Sequence, residues 1–299
     1  MSKRRFVDLH THSTASDGSC PPAEVVRLAD QASLAAVALT DHDTVAGIEE
    51  ARLAAQKLPE LIFVPGIEIS ACFAQGTLHI LGLGIDPASP HLANMMATLQ
   101  DSRATRNPRI LQKLTAMGMP LSMEDVAAAA NELAHNDEVP SDADGSDRIL
   151  GRVHIAMAMV HKGYVKTTQE AFDRYIGSGG PAYVDKERLS PREAIQGIRD
   201  SGGLAVLAHP PQLLCENDSQ FLRILRDLIH AGLDGIEAFH SDNSPRQTRF
   251  YVEVARRFGL GIVGGSDFHG EAKPTVRLGK PTVPIEALGE RFASKLLGL

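Results

Sequence analysis

Along the first ninety residues, short apolar runs alternate with stretches whose apolar positions recur at helical spacing. RFVDL (5–9) reads as a strand, and the stretch from Pro21 to about Ser33, opened by Pro-Pro, reads as a helix. AAVALT (35–40) predicts a second strand and 44–57 a second helix. LIFVPGIEIS (61–70) and TLHILGLG (77–84) predict two more strands, close enough in sequence to form a hairpin-like pair. The rhythm returns beyond residue 200 in LAVLAH (204–209), DGIEAFH (234–240) and GIVGGSD (261–267), with room for helices between them. Repeated β–α units with apolar strands predict an α/β fold around a parallel sheet, open or closed.

The middle of the chain has a different period. Helical spacing runs through 88–117, an alanine-rich stretch (122–134) and 151–162, with the acidic loop HNDEVPSDADGSD (135–147) between the last two. No strand pattern interrupts them. The expectation is a helical insertion, 91–163, carried on a β/α body made of 1–90 and 164–299, and covering that body's active face.

Composition narrows the partners. The 299 residues are 43% hydrophobic and 22% charged, an ordinary globular balance, with 30 Lys+Arg against 37 Asp+Glu for a net −7. An acidic chain is a poor coat for double-stranded nucleic acid, which demands a broad basic surface; a small anion gripped by a few arginines is compatible with it. Cys20, Cys72 and Cys215 are scattered without a C-x-x-C, so neither a disulfide framework nor a zinc ribbon is indicated. The basic N-terminus runs into no apolar signal core and no stretch is long enough to span a bilayer, so a cytoplasmic, membrane-free protein with no obligate protein partner is expected.

The unusual count is histidine, 12 residues. His10 and His12 close the first predicted strand, Asp41, His42 and Asp43 the second, and Glu68 the third; His79 lies in the fourth. His209, His240, Asp267 and His269 close the later ones. One histidine beside an apolar run is usually a hydrogen-bonded structural residue. Here nearly every strand delivers a donor to the end where β/α folds carry function, and H-x-H on a strand puts two imidazoles on one face. Imidazole and carboxylate without thiolate suit Mn²⁺, Fe²⁺ or Zn²⁺. The donors exceed what one ion takes, so two or three divalent ions are expected, manganese first, with iron or zinc as alternatives. Asp41 and Asp43 are candidates for orienting imidazoles.

The motifs H10-T-H12, Asp17 within TASDGSCPP, T-D-H42-D, G-I-E68-I, H79-I-L-G, A-H209-P and G-S-D267-F-H269-G resemble the PHP (polymerase and histidinol phosphatase) family over roughly 4–86 and 176–285. The resemblance implies a distorted (β/α)7 PHP barrel with an inserted helical subdomain and up to three metal ions. It implies a first ion on His10, His12, Glu68 and Asp267. A second would be bridged by Glu68 and held by His79 and His240, and a third by Asp17, His42, His209 and His269. His240 is equally a candidate substrate contact. Asp267 and His240 are the candidate catalytic proton carriers. The early strands end in no lysine, which favours phosphate esters over amides.

Arg103, Arg106 and Asn107 fall at i, i+3 and i+4 on one helix face of the insertion, and Arg148 and Arg152 flank the next helix start. Guanidinium groups match phosphate oxygens bidentately, which makes these five the candidate substrate contacts. The patterns R-x-x-R-N, G-R-x-H and G-x-G-G-P-A-Y-V resemble one PHP subgroup, that of nucleoside 3′,5′-bisphosphate phosphatases and 5′→3′ exoribonucleases acting on short RNA. A small nucleotide with more than one phosphate, or short RNA, is then the expected substrate. Histidinol-phosphate phosphatase and a non-catalytic PHP module are the competing expectations.

Overall fold

The computed structural model describes residues 5–134, 150–184 and 189–299. Its strands are β1 (Phe6–Asp8), β2 (Ala36–Leu39), β3 (Ile62–Ala71), β4 (Leu78–Leu83), β5 (Leu204–Leu207), β6 (Gly235–His240), β7 (Gly261–Gly265) and β8 (Val283–Pro284). They form one sheet in the order β7-β6-β5-β4-β3-β2-β1-β8. The Leu9 N–H donates to the Gly264 carbonyl at 3.1 Å and Thr11 bridges Phe268, so β1 meets β7 and the sheet nearly closes into a barrel.

Pairing is parallel along β1-β2-β3 and β5-β6-β7, but β4 is antiparallel to both β3 and β5. The β3-β4 pairing is the hairpin-like pair expected from the sequence, and it interrupts the parallel sheet for a simple reason. Only residues 72–77 separate β3 from β4, and a parallel return needs a crossover of about a dozen residues or more.

The helices are α1 (Pro22–Gln31), α2 (Ile48–Ala55), α3 (Pro90–Ala116), α4 (Met123–Ala134), α5 (Arg152–His161), α6 (Thr168–Ala171), α7 (Pro191–Asp200), α8 (Asp218–His230), α9 (Pro245–Phe258) and α10 (Glu290–Leu297). A π-helical turn, Phe172–Ile176, continues α6. No described helix is long and apolar enough to cross a membrane.

The two-residue period of the strands sorts the core into two shells. Val7, Leu9, Ala36, Ala38, Val64, Leu81, Leu83, Val206 and Val263 fill the barrel interior, whereas Ile67, Ile69, Ile80, Leu207, Ile236 and Ile262 pack outward against helices. Phe292 of α10 plugs the lower end, 1% exposed. A Cβ at Gly261 would lie 2.0 Å from the Phe292 ring, so the strand must start on glycine to admit it.

Helix α3 belongs to both parts of the molecule. Leu92, Met95, Met96 and Leu99 pack into the layer around the barrel, while Ile110, Leu111 and Leu114 join a separate helical core. That second core also takes in Val126, Ile155, Met159, Val165, Ile176 and Val184.

Candidate metal centre

Strand parity explains the first donors. Glu68 continues the inward set of Val64 and Gly66, and His79 continues that of Leu83 and Leu81. Because β4 runs antiparallel, the start of that strand lies at the same barrel end as the end of β3, and His79 pairs in register with Ser70. His10 and His12 follow β1 and are fully buried. Gly265 permits this approach, since a Cβ there would lie 2.4 Å from that of His10.

Other donors reach the mouth by breaking the alternation. His209 has φ +23° and Asp267 φ +58°, conformations that cost a residue with a side chain about 1–3 kcal/mol and are concentrated at functional sites. In β6, Glu237 pairs with Val263 and Phe239 with Gly264, so Ala238 is an extra residue. This β-bulge puts Glu237 and His240, three positions apart, on the same inward side.

The donors surround common points. Glu68 Oε2 lies 3.3 Å from His10 Nε2, 3.2 Å from His12 Nε2 and 3.1 Å from His42 Nδ1. Its Oε1 lies 2.8 Å from His79 Nδ1 and 2.9 Å from His209 Nε2. Asp267 Oδ1 is 3.5 Å from His10 Nε2 and 3.3 Å from His12 Nε2, and Asp17 Oδ1 is 3.3 Å from His269 Nε2. Two donors at about 2.1 Å from one ion and a tetrahedral angle apart are separated by about 3.4 Å, so donors at these spacings could share an ion.

The chemistry of the set fits divalent cations. Among the described residues, His12 Nδ1, His42 Nδ1, His209 Nδ1 and Glu68 Oε2 are buried without a hydrogen-bond partner. Stranding that many polar atoms is costly unless an ion satisfies them. Outer contacts also aim lone pairs inward. His10 Nδ1 faces Glu237 Oε1 at 2.9 Å, and His269 Nδ1 donates to the Asp267 carbonyl at 2.8 Å, so each leaves Nε2 free to bind. Glu237 Oε2 accepts the His209 N–H at 2.7 Å and thereby ties β6 to the turn that carries His209.

His240 differs from the rest. Its Nδ1 accepts the Asp242 N–H at 3.1 Å, so the neutral ring carries its proton on Nε2, which stands 3.6 Å from Asp267 Oδ2. That tautomer offers an ion no lone pair through Nε2 and suits a proton donor.

Charge is distributed accordingly. Burial would raise the acids Glu68, Asp17 and Asp267, but the imidazoles around them, joined at Asp267 by Lys273, hold all three well below the usual carboxylate range. Burial works against a charged ring at His12 too, yet Asp267 and Glu68 outweigh it and raise it to about 9. His10 is likewise held high by Glu237, Glu68 and Asp267 against burial. His42 goes the other way, to about 3, because burial combines with His12 and His79 against Glu68 and Asp17.

The residues expected as ligands come together, in groups that differ from the partition the resemblance implies. Asp17 stands with His12, His42 and His269, while His209 stands with Glu68 and His10. His240 stands with His10 and Glu237 rather than with His79. The twisted backbone at His209 and the bulge in β6 account for both differences. Asp41 turns away from the imidazoles: it accepts from the Ser13 N–H at 2.8 Å and from the Ser13 and Ser16 hydroxyls, pinning the loop that carries Asp17. Asp43 accepts the Ser70 N–H at 2.9 Å.

A cavity of about 380 Å³ opens over the cluster, lined by Asp17, His42, His79 and His269 and by Arg106 and Arg152 from the helical part. Asn107 Oδ1 accepts from Arg106 Nη2 at 2.9 Å, and its Nδ2 donates to the Leu150 carbonyl at 2.8 Å. Asn107 thus holds Arg106 in place instead of lining the cavity. The Arg103 side chain and Arg148 lie outside the described residues. Two site residues escaped the sequence analysis, Glu237 and Lys273. Lys273 lines the cavity with Nζ 2.7 Å from Asp267 Oδ2. Glu237 had a signal in sharing a short strand with His240; Lys273 had none.

Known proteins match this arrangement. The 3′,5′-nucleoside bisphosphate phosphatase of Chromobacterium violaceum is 34% identical over 88% of this chain and 87% of its own length. A 5′-3′ exoribonuclease of Haemophilus influenzae is 35% identical over 88% and 89%. A solved structure of a candidate metal-dependent phosphoesterase from Bifidobacterium adolescentis superposes with a TM-score of 0.81 at 30% identity, covering 99% of both chains. The PHP domain profile matches residues 8–257. A barrel whose mouth is ringed with imidazoles and carboxylates, matched along most of its length, makes this chain a member of the PHP domain family of metal-dependent phosphoesterases.

Proposed function

We propose that the chain hydrolyses the 3′-phosphate of nucleoside 3′,5′-bisphosphates, such as adenosine 3′,5′-bisphosphate, to the 5′-monophosphate. Short 5′-phosphorylated RNA, trimmed from its 5′ end, is a second substrate of the same site. The observation that carries this reading is the shared cavity, in which the metal-ligand cluster and the insertion arginines Arg106 and Arg152 line one space. One phosphate then lies at the cluster while the other is gripped by guanidinium groups. The activities named for the C. violaceum and H. influenzae relatives support it.

The ligand set is His10, His12, Asp17, His42, Glu68, His79, His209, Asp267 and His269, holding two or three divalent ions, manganese first. Bound there, such ions supply Lewis acidity and activate water near neutral pH. The chain does the rest. Arg106, braced by Asn107, and Arg152 hold the second phosphate, and Arg103 and Arg148 belong to the same proposed set. Lys273 neutralises charge beside Asp267. His240 presents its Nε2 proton to the departing oxygen, with Asp267 3.6 Å away to orient it. The enzyme works on small substrates in the cytoplasm, without membrane or obligate partner.

A turnover screen in Mn²⁺ tests the reading, comparing adenosine 3′,5′-bisphosphate, a 5′-phosphorylated RNA oligomer and histidinol phosphate. Preference for the first two is expected. Comparable turnover of histidinol phosphate would overturn the substrate assignment, and inactivity on every phosphoester would favour a non-catalytic module.

A further inference from the structure

We propose that Phe172, carried on the π-helical turn after α6, is the wall against which the substrate's nucleobase stacks. The inference rests on the nucleotide reading above and extends it from two phosphates to the base. Most side chains lining the cavity end in polar or charged groups, among them Asp17, Arg106, Arg152 and Lys273. Among the described lining residues, Phe172 supplies the one Phe, Tyr or Trp ring, and only Val153 adds another apolar side chain. The cations and metal ligands suffice for the phosphates. A base leaving water needs a flat apolar partner, and any base can stack on an aromatic ring.

The chain builds this wall deliberately. Gly177 N–H donates to the Phe172 carbonyl at 2.9 Å, the bond that defines the π turn, a geometry concentrated at functional sites. A Cβ at Gly177 would lie 2.3 Å from the Phe172 carbonyl oxygen, and one at Gly180 would lie 2.4 Å from that of Tyr175. Both glycines are therefore required for the chain to fold back. The return is fixed by the Ala182 N–H bonding the Tyr175 carbonyl at 2.9 Å.

It brings Tyr183 to Arg152, whose guanidinium lies 5.3 Å from the Tyr183 ring centre and 5.7 Å from that of Phe172. Arg152 Nη1 also donates to the Ile176 carbonyl at 3.0 Å. The G-x-G-G-P-A-Y-V segment thus assembles a stack of ring, guanidinium and ring, of which Phe172 and Arg152 line the cavity.

The test measures kcat and KM of the Mn²⁺-loaded full chain on adenosine 3′,5′-bisphosphate and on its base-free analogue, 1,2-dideoxyribose 3,5-bisphosphate. Wild type is compared with Phe172→Leu, which keeps apolar bulk, and Phe172→Trp, which keeps a ring. We expect Phe172→Leu to raise KM for the adenosine compound about tenfold or more and to leave the base-free one within about twofold. Phe172→Trp restores the wild-type pattern. Equal loss on both substrates would mean that Phe172 acts only by packing Arg152, and an unchanged adenosine KM would remove any role; either overturns the stacking wall while wild-type turnover keeps the nucleotide reading intact. Wild type inactive on both compounds overturns the nucleotide reading and the wall with it.

Discussion

Glutamine in place of Glu237 keeps the shape of the side chain and changes only what it can accept. The carboxylate receives the Nδ1 proton of His10 at 2.9 Å and the backbone N–H of His209 at 2.7 Å, both buried. An amide has one oxygen for these two donors. Whichever way it turns, its NH2 group meets another N–H, and an unmet buried donor costs about 1–3 kcal/mol. His10 also loses the negative partner that keeps its proton on Nδ1 and its Nε2 lone pair towards the ligand cluster. Loss of such an orienting partner typically weakens metal affinity by about 10- to 100-fold. Competition against a fluorescent chelator gives the Mn²⁺ affinity, and thermal unfolding of the chelated proteins checks that both remain folded. A folded Glu237→Gln protein that holds Mn²⁺ within about twofold of wild type would refute the reasoning, because the predicted loss is at least tenfold.

Metal uptake should release protons. Asp267 and Glu68 hold His12 up at about 9, so at pH 7.5 that ring is largely protonated before an ion binds and must become neutral to ligate it; His10 is raised in the same direction. Affinity then rises with pH towards about 9, and calorimetry in two buffers of different ionisation enthalpy should register the release; buffer-independent heats would contradict it. His240→Gln should lower kcat by about 10²- to 10⁴-fold with metal content unchanged, as loss of a proton donor does, whereas loss of an ion by mass spectrometry would make His240 a ligand. Asn107→Ala should free Arg106 from its brace and raise KM for a bisphosphate more than for a monophosphate, and equal KM values on both would place Arg106 away from the second phosphate.

Where the chain obeys the two-residue period, its sequence is legible. Glu68 and His79 follow the same alternation as the apolar residues beside them, and the runs at 35–40 and 204–209 become β2 and β5 with a residue or two trimmed. Legibility ends where the backbone departs from that period. Glu237 falls inward beside outward Ile236, and the bulge at Ala238 turns His240 to that same side, where strict alternation would have set it opposite. The twist at His209 sends that ring to Glu68 rather than to Asp17. Lys273 lies in a loop with no periodicity, so only the fold could bring it to Asp267. Likewise the helical spacing marked Asn107 and Arg106 as neighbours on one face, while which of them lines the cavity and which braces the other depends on the Leu150 carbonyl far along the chain.

The central claim is that phosphoester hydrolysis takes place on ions held by these imidazoles and carboxylates. Phosphate release from adenosine 3′,5′-bisphosphate, measured with bound metal counted in the same samples, tests it most directly. Wild type should carry two or three ions and release phosphate, chelation should abolish release and Mn²⁺ restore it, and Asp267→Ala should lose both metal and turnover. Undiminished hydrolysis by the chelated protein, or full activity in the Asp267→Ala variant, would contradict the account.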